Sequence, residues 1–296
     1  MKKLLTKLRM KFMQACPHTY IRFSRWVSQY MFPATTKLLS GRSRSPIRRA
    51  SVIFFGHNRC ATRFISRCLV ALAKSEGRPC IDLETYFART DSSRYGQFED
   101  PDFMRRVFQP TGYYYGPHYW YREIPGLERF RVLLVLRDPR DVITSRYYSQ
   151  GFAHTLMDEK AYRRRLEIQK MTVDEFVREM AWEVKCAYEG YLENLLPRSN
   201  VYATSYEKMV ADFRPWLDGI VEHIGMQPSA AAVEQVVAST SFKVAKEDIY
   251  SHKRSVQPGS HLRKLTPETV DFLNREYATI LEALDYPQTA STAGAG

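Results

Sequence analysis

The chain has 296 residues, 44% hydrophobic and 13% aromatic, enough to bury one large α/β core. The formal charge is +12, yet residues 1–50 hold 12 Lys and Arg and no acidic residue, leaving 32 basic against 32 acidic residues beyond them. A nucleic-acid-binding domain spreads its basic footprint over a folded face, so nucleic acid is not an expected partner. Five cysteines (Cys16, Cys60, Cys68, Cys80, Cys186) form an odd, scattered set without a CxxC pair. That pattern fits reduced thiols in a cytosol better than a disulfide framework or a zinc site, and no metal is expected.

The first element is basic. In MKKLLTKLRMKFM, Leu4, Leu5, Leu8 and Phe12 share one helical stripe with Lys3, Lys7 and Lys11 beside it. Such a helix suits an anionic membrane surface or docks on its own domain, which the aromatics of YIRFSRWVSQYMF (20–32) favour nearly as well. No apolar run reaches roughly 18 residues and no secretory cleavage pattern follows, so a cytoplasmic protein, peripheral to the membrane at most, is expected. GRSRSPIRR (41–49) reads as a flexible linker. The expected division is a basic arm and linker over 1–50, a domain over 51–287, and a disordered tail over 288–296.

Val52 to Phe55 is an apolar run suited to a buried strand, and Phe64, Ile65, Cys68, Leu69 and Leu72 recur at helical spacing after it. Between them GHNRCAT (56–62) suits the wrapping of an anion by backbone N–H groups. It lacks the Gly-Lys of an ordinary nucleotide-triphosphate loop, having Ala61-Thr62 there and its cation earlier, at Arg59. A plain strand-to-helix turn is the other reading. Residues 132–149, VLLVLRDPRDVITSRYYS, repeat the grammar. Val132 to Leu136 predict a strand; Asp138 is an N-cap, Pro139 the first helical residue and Asp141 the third. Arg137 and Ser145 thus fall at the carboxyl edge of a sheet, where ligands bind in open α/β folds, unless Arg137 only pairs with Asp138 or Asp141. The basic segment 158–170 is a separate element, since a Thr172-x-x-Glu175 capping box opens the next helix.

Together the two units resemble the PAPS-dependent sulfotransferases. That family carries a loop Lys/Arg-Ser-Gly-Thr-Thr-Trp/Phe/Leu that grips the 5′-phosphosulfate; Arg59, Cys60, Ala61, Thr62, Arg63 and Phe64 stand in those places. Its second motif, Arg-Asp/Asn-Pro-Arg/Lys-Asp-x-x-x-Ser, grips the 3′-phosphate and is matched by Arg137 through Asp141 and Ser145. VYATSYE (201–207) resembles the strand whose tyrosine lines the adenine pocket, implying Tyr206. STSFKVAK (239–246) resembles the segment whose Thr and Phe flank adenine, implying Thr240 and Phe242. HKRSVQPGSHLRKLTPE (252–268) resembles the loop closing over the 3′-phosphate; Arg254 and Gly259 fit it, while Ser255, Val256 and Leu262 replace its Lys, first Gly and Trp.

The resemblance implies a three-layer α/β/α domain with a central, mainly parallel sheet, a P-loop-like architecture, and PAPS as co-substrate with PAP as product. It also implies His118 as the base, since the histidine precedes Ile124-Pro125 one strand before the Arg-Asp-Pro motif. An inert, half-buried histidine is the bland alternative. Glu84, on the segment after the first helix, is the rival base, or only an arginine partner. Arg59, Thr62 and the loop amides would steady the leaving group. Tyr113, Tyr114, Tyr115, Tyr119, Trp120 and Tyr121 crowd His118; alternate members are expected in the core. ARTDSSRYGQFEDPD (88–102) and 158–170 would frame the acceptor entrance, with Arg163, Arg164 and Arg165 greeting an anion or lining a solvated helix. The expected acceptor is a carbohydrate or glycolipid hydroxyl. A non-catalytic module binding PAP or another nucleotide and a kinase-like phosphotransferase are the alternatives; the missing Gly-Lys and the lack of an obvious magnesium carboxylate beside the loop oppose the kinase.

Overall fold

The apolar runs read above become neighbouring strands in the computed structural model, which describes residues 30–90, 92–153, 159–242 and 256–288 and the isolated positions 19, 22, 26 and 27. Among these, β1 (Val52–Gly56), β2 (Cys80–Ile81), β3 (Tyr114–His118), β4 (Arg131–Leu136) and β5 (Val201–Ser205) form one sheet ordered β2-β3-β1-β4-β5, every pairing parallel. Parallel strands need helical crossovers that cover the sheet, so β1 and β4 beyond Arg131 are apolar and buried, while the edge strand β5 is half-buried and partly polar. Val52, Phe54, Leu133 and Val135 pack on one face against Ile65, Leu69, Leu72, Trp216 and Ile220. Ile53, Phe55, Val132 and Leu134 pack on the other against Val142, Ile143, Phe176, Val184 and Tyr188. The result is the expected three-layer α/β/α arrangement.

The helices that matter for the site follow from local chemistry. Helix α1 (Pro33–Leu39) precedes the sheet; α2 (Thr62–Ser75) follows β1 and α3 (Leu83–Thr90) follows β2. Helix α4 (Pro101–Val107) leads toward β3, and α5 (Pro139–Tyr148) follows β4. As expected, Asp138 caps α5, accepting from the Arg140 N–H at 2.9 Å, with Pro139 in the first turn. Helix α6 (Glu159–Ile168) is the basic insertion, and Arg164 spends its charge on Glu167 and Glu179. The Thr172–Glu175 capping box then opens α7 (Val173–Asn194). Helices α8 (Tyr206–Ala211), α9 (Phe213–His223) and α10 (Ala230–Ala238) follow β5. Helices α11 (Ser260–Lys264), α12 (Pro267–Glu276) and α13 (Ala278–Ala283) come last. No helix among the described residues is long and apolar enough to cross a membrane.

The end of the basic arm rests on the domain. Leu38 is buried, and Thr35 Oγ1 accepts the Asp82 N–H at 3.2 Å. Residues 41–49, expected as a flexible linker, are tied down. Ser45 donates to Gly112 O at 2.7 Å, and Arg49 reaches Glu76 and Gln227. Gly112 sits at φ 93°, where a Cβ would come within 2.6 Å of Ser45, so this contact requires glycine. The stripe of Leu4, Leu5, Leu8 and Phe12, residues 289–296 of the tail and Arg254 lie outside the described residues.

Candidate active site

Residues 57–61 carry the chain from β1 to α2. Arg59 and Ala61 both take positive φ, 74° and 57°, a region that costs a residue with a Cβ about 1–2 kcal/mol. Ala61 keeps the left-handed turn that glycine would make without strain. Not every polar group of the loop is free for a ligand. The Cys60 N–H donates to His57 O at 3.2 Å, and the Thr62 hydroxyl to the same oxygen at 2.6 Å. The Cys60 thiol is buried beside the Tyr188 hydroxyl, 3.7 Å away, and burial pushes its pKa up to about 12. It anchors the loop and is no nucleophile. Arg59 instead crosses to α5: Nε donates to Ser145 Oγ at 3.1 Å and Nη1 to Ser149 Oγ at 3.2 Å.

Arg137, at the end of β4, joins the same cluster. Its Nη1 donates to Arg59 O at 3.4 Å, and its guanidinium lies 4.4 Å from the centre of the Tyr206 ring. It pairs with Asp141 at 2.9 Å, as the bland reading allowed, yet its buried Nε meets no hydrogen-bond partner among the described residues. Asp141 has a larger role than its place in the first turn suggested. Its two oxygens also accept from the Gly259 N–H, the Ser260 hydroxyl, and the N–H and Nδ1 of His261. Burial opposes its ionisation, but His261 and Arg137 hold its pKa well below the usual carboxylate range. Tyr206 adds a second clasp, donating to Val256 O at 2.7 Å. The segment expected to close over a phosphate is thereby fixed to the Arg-Asp-Pro turn, with Gly259 at φ 75°.

The rival bases are neighbours. His118 ends β3 opposite Phe55 of β1, while Glu84 opens α3 after β2, the strand paired with β3. His118 Nδ1 lies 3.6 Å from Glu84 Oε1, longer than a hydrogen bond, and both side chains are buried. Neither ring nitrogen of His118 has a hydrogen-bond partner among the described residues. Its ring stands between Phe55, at 5.4 Å, and Phe108, at 5.6 Å. Arg122 binds Glu84 on the other side and stacks on Phe98. Burial raises the Glu84 pKa, but His118 and Arg122 outweigh it, leaving the carboxyl below its ordinary value. An imidazole placed here offers ring nitrogens without a partner among the described residues, with a carboxylate 3.6 Å away.

The remaining residues spread around this centre. Phe64 stacks near Phe213 and Phe242, at 5.8 and 5.7 Å, forming an aromatic corner at the start of α2. The Thr240 hydroxyl turns back onto Val236 O at 2.8 Å. Arg63 is exposed, with its charge beside the Tyr119 hydroxyl. Tyr113, Tyr114 and Tyr115 are all core, whereas Trp120 is 37% exposed at the rim. Sequence reasoning missed Arg122, the Tyr188 hydroxyl that donates to Arg137 O at 2.6 Å, and His57, whose ring is buried in the loop. Only His57, inside the quoted loop, carried a signal that could have flagged it.

Residues 115–274 match the family model described as the sulfotransferase domain. That stretch begins within β3, so the loop at 57–61 lies outside it. Mouse sulfotransferase SULT7A1, solved in complex with PAP, has 15% identity and a TM-score of 0.53, over 85% of this chain and 89% of that one. Retinol dehydratase, solved with androsterone and the inactive cofactor PAP, has 12% identity and a TM-score of 0.51, over 84% and 85%. At such identities the likeness is one of fold. No curated protein matches the sequence.

Proposed function

The chain belongs to the sulfotransferase family, whose domain model covers more than half of it, and on that premise we propose that it transfers the sulfuryl group of PAPS to a hydroxyl of a carbohydrate or glycolipid. The observation that carries the co-substrate is Arg137, a buried guanidinium with its Nε unpartnered among the described residues, beside Arg59 and Ser145 at the carboxyl edge of β1 and β4. A planar cation there fits a phosphate. In this reading the acceptor oxygen attacks sulfur while His118 takes its proton. The bond from sulfur to the 5′-phosphate oxygen breaks, and its electron pair leaves with PAP. Arg59 and the start of α2 face that growing charge. Glu84 steadies the imidazolium until its proton passes to solvent.

The half-buried Tyr121 and the rim residue Trp120 support a ring-bearing acceptor. The aromatic wall of Phe55 and Phe108 supports a second reading, a small apolar alcohol, as androsterone is in the retinol dehydratase complex. The charge of residues 1–50 supports meeting the acceptor at an anionic cytoplasmic membrane surface, with 51–287 as the catalytic unit. Calorimetry with PAP and ATP tests the reading. PAP should bind, and Arg137→Ala should weaken it by roughly 2–4 kcal/mol, the cost of removing one partner of a hydrogen-bonded charge contact. Binding of ATP in preference to PAP, or unchanged PAP affinity in the folded variant, sinks it.

A further inference from the structure

The loop at 57–61 holds a group that the reaction above does not use. His57 is 1% exposed. Its Nδ1 lies 2.9 Å from Asn58 O. A backbone carbonyl only accepts, so Nδ1 carries the hydrogen and Nε2 presents a bare lone pair. Burial lowers the pKa to about 4, so the ring is neutral at neutral pH. Nε2 is buried and meets no hydrogen-bond partner among the described residues. A buried acceptor of this kind calls for a donor.

The position of the ring says which ligand supplies it. His57 stands edge-on to Trp120, with ring centres 5.6 Å apart, and equally close to Tyr188. Trp120 is a rim residue two positions beyond His118, and Phe55, two before His57, is the register partner of His118. The ring therefore stands just past the end of β1 beside the exposed Trp120, with Tyr188 and the charge of Arg146 also near it. Arg59, Ser145 and Arg137 gather on the α5 side of the loop.

We propose that His57 Nε2 selects the acceptor molecule by taking a hydrogen bond from an O–H or N–H next to the reacting hydroxyl. This rests on the sulfotransferase reading and narrows its acceptor. A neighbouring hydroxyl or amine satisfies the lone pair. A carboxylate, sulfate or ether oxygen in the same place meets another lone pair and is rejected. Polyols and sugars fit; isolated alcohols do not.

The test uses the full-length protein carrying 15N-labelled histidine, with PAP present and His57 assigned by comparison with His57→Gln. Long-range 15N–1H spectra should show His57 protonated at Nδ1 and bare at Nε2. Octyl β-D-glucopyranoside or 1-O-octylglycerol should move the Nε2 resonance, and octyl tetra-O-methylglucoside should not. His57→Phe should weaken binding of the responding probe by roughly ten- to hundred-fold, the scale of an unmade buried hydrogen bond. His57→Gln, which restores an acceptor, should weaken it less. A hydrogen on Nε2, no response to either donor probe, or an equal response to the methylated one overturns the proposal. Calorimetric titration of PAP into the unmodified protein reports separately on the co-substrate: absence of PAP binding there refutes the sulfotransferase reading, while the tautomer and probe shifts still decide the role of His57.

Discussion

Replacing Asp141 by Asn keeps the shape of the side chain and changes one oxygen into a donor. Asp141 is fully buried, with Oδ2 accepting from Arg137 Nη2 and the Gly259 N–H, both at 2.9 Å. Oδ1 accepts from the Ser260 hydroxyl at 3.1 Å, the His261 N–H at 3.0 Å and His261 Nδ1 at 2.8 Å. Whichever way the amide turns, its NH2 faces at least two donors, and Arg137 becomes a buried cation without its counter-charge. Breaking a buried pair in this way costs about 3–5 kcal/mol, so urea denaturation at neutral pH should show a loss of that size. The pH dependence has a definite sign. The folded-state pKa of Asp141 is depressed, so its contribution is present above the unfolded value near pH 4 and is lost as the pH falls through the folded one. The gap between the two proteins should therefore narrow on acidification below about pH 4. A loss under about 1 kcal/mol, or a gap that ignores pH, would refute the view that this charge fastens the 256–261 segment to the Arg137 turn.

Ala61→Gly should leave stability unchanged or raise it by up to about 1 kcal/mol, because relief of the left-handed strain offsets the extra freedom of the unfolded chain. A drop of 1 kcal/mol or more in urea would show that Ala61 is unstrained. Buried and neutral, His57 lets the unfolded state bind more protons between its folded pKa of about 4 and the ordinary 6.5. Stability should fall by about 3 kcal/mol as pH drops through that window, and His57→Phe should lose that slope in parallel denaturation series. His118→Ala should lower turnover by about 10²–10⁴-fold with little change in PAP affinity, while Glu84→Gln has a smaller effect. The reverse ranking would exchange the roles of the two residues.

What could be read in advance was local. A βα unit announces itself through an apolar run, a cap and a helical repeat within about twenty residues, and both units, with the Asp138 cap and the Thr172 capping box, stand where that grammar put them. The core tyrosines were half legible: Tyr114 and Tyr115 pack on opposite faces because β3 lies inside a parallel sheet with both faces covered, and Tyr113, just before the strand, is buried as well. Alternation fails there as a guide.

The distant contacts were not legible, for a topological reason. Asp141 was visible as a first-turn acid, but nothing near it pointed to Gly259, Ser260 and His261, more than a hundred positions later. The end of the arm looked like linker because its composition is basic and polar, and only Gly112 leaves the room that lets Ser45 settle. His118 and Glu84 competed for one role because they are far apart in sequence. Sheet order reverses that distance. Strand β2 pairs with β3, so the turn leaving β2 and the end of β3 meet at one edge, placing the two groups 3.6 Å apart. Two residues that sequence could only rank as alternatives can then divide one task. In the proposed reaction the imidazole would accept the proton, and the carboxylate, held below its ordinary pKa by His118 and Arg122, would balance the charge that the proton brings.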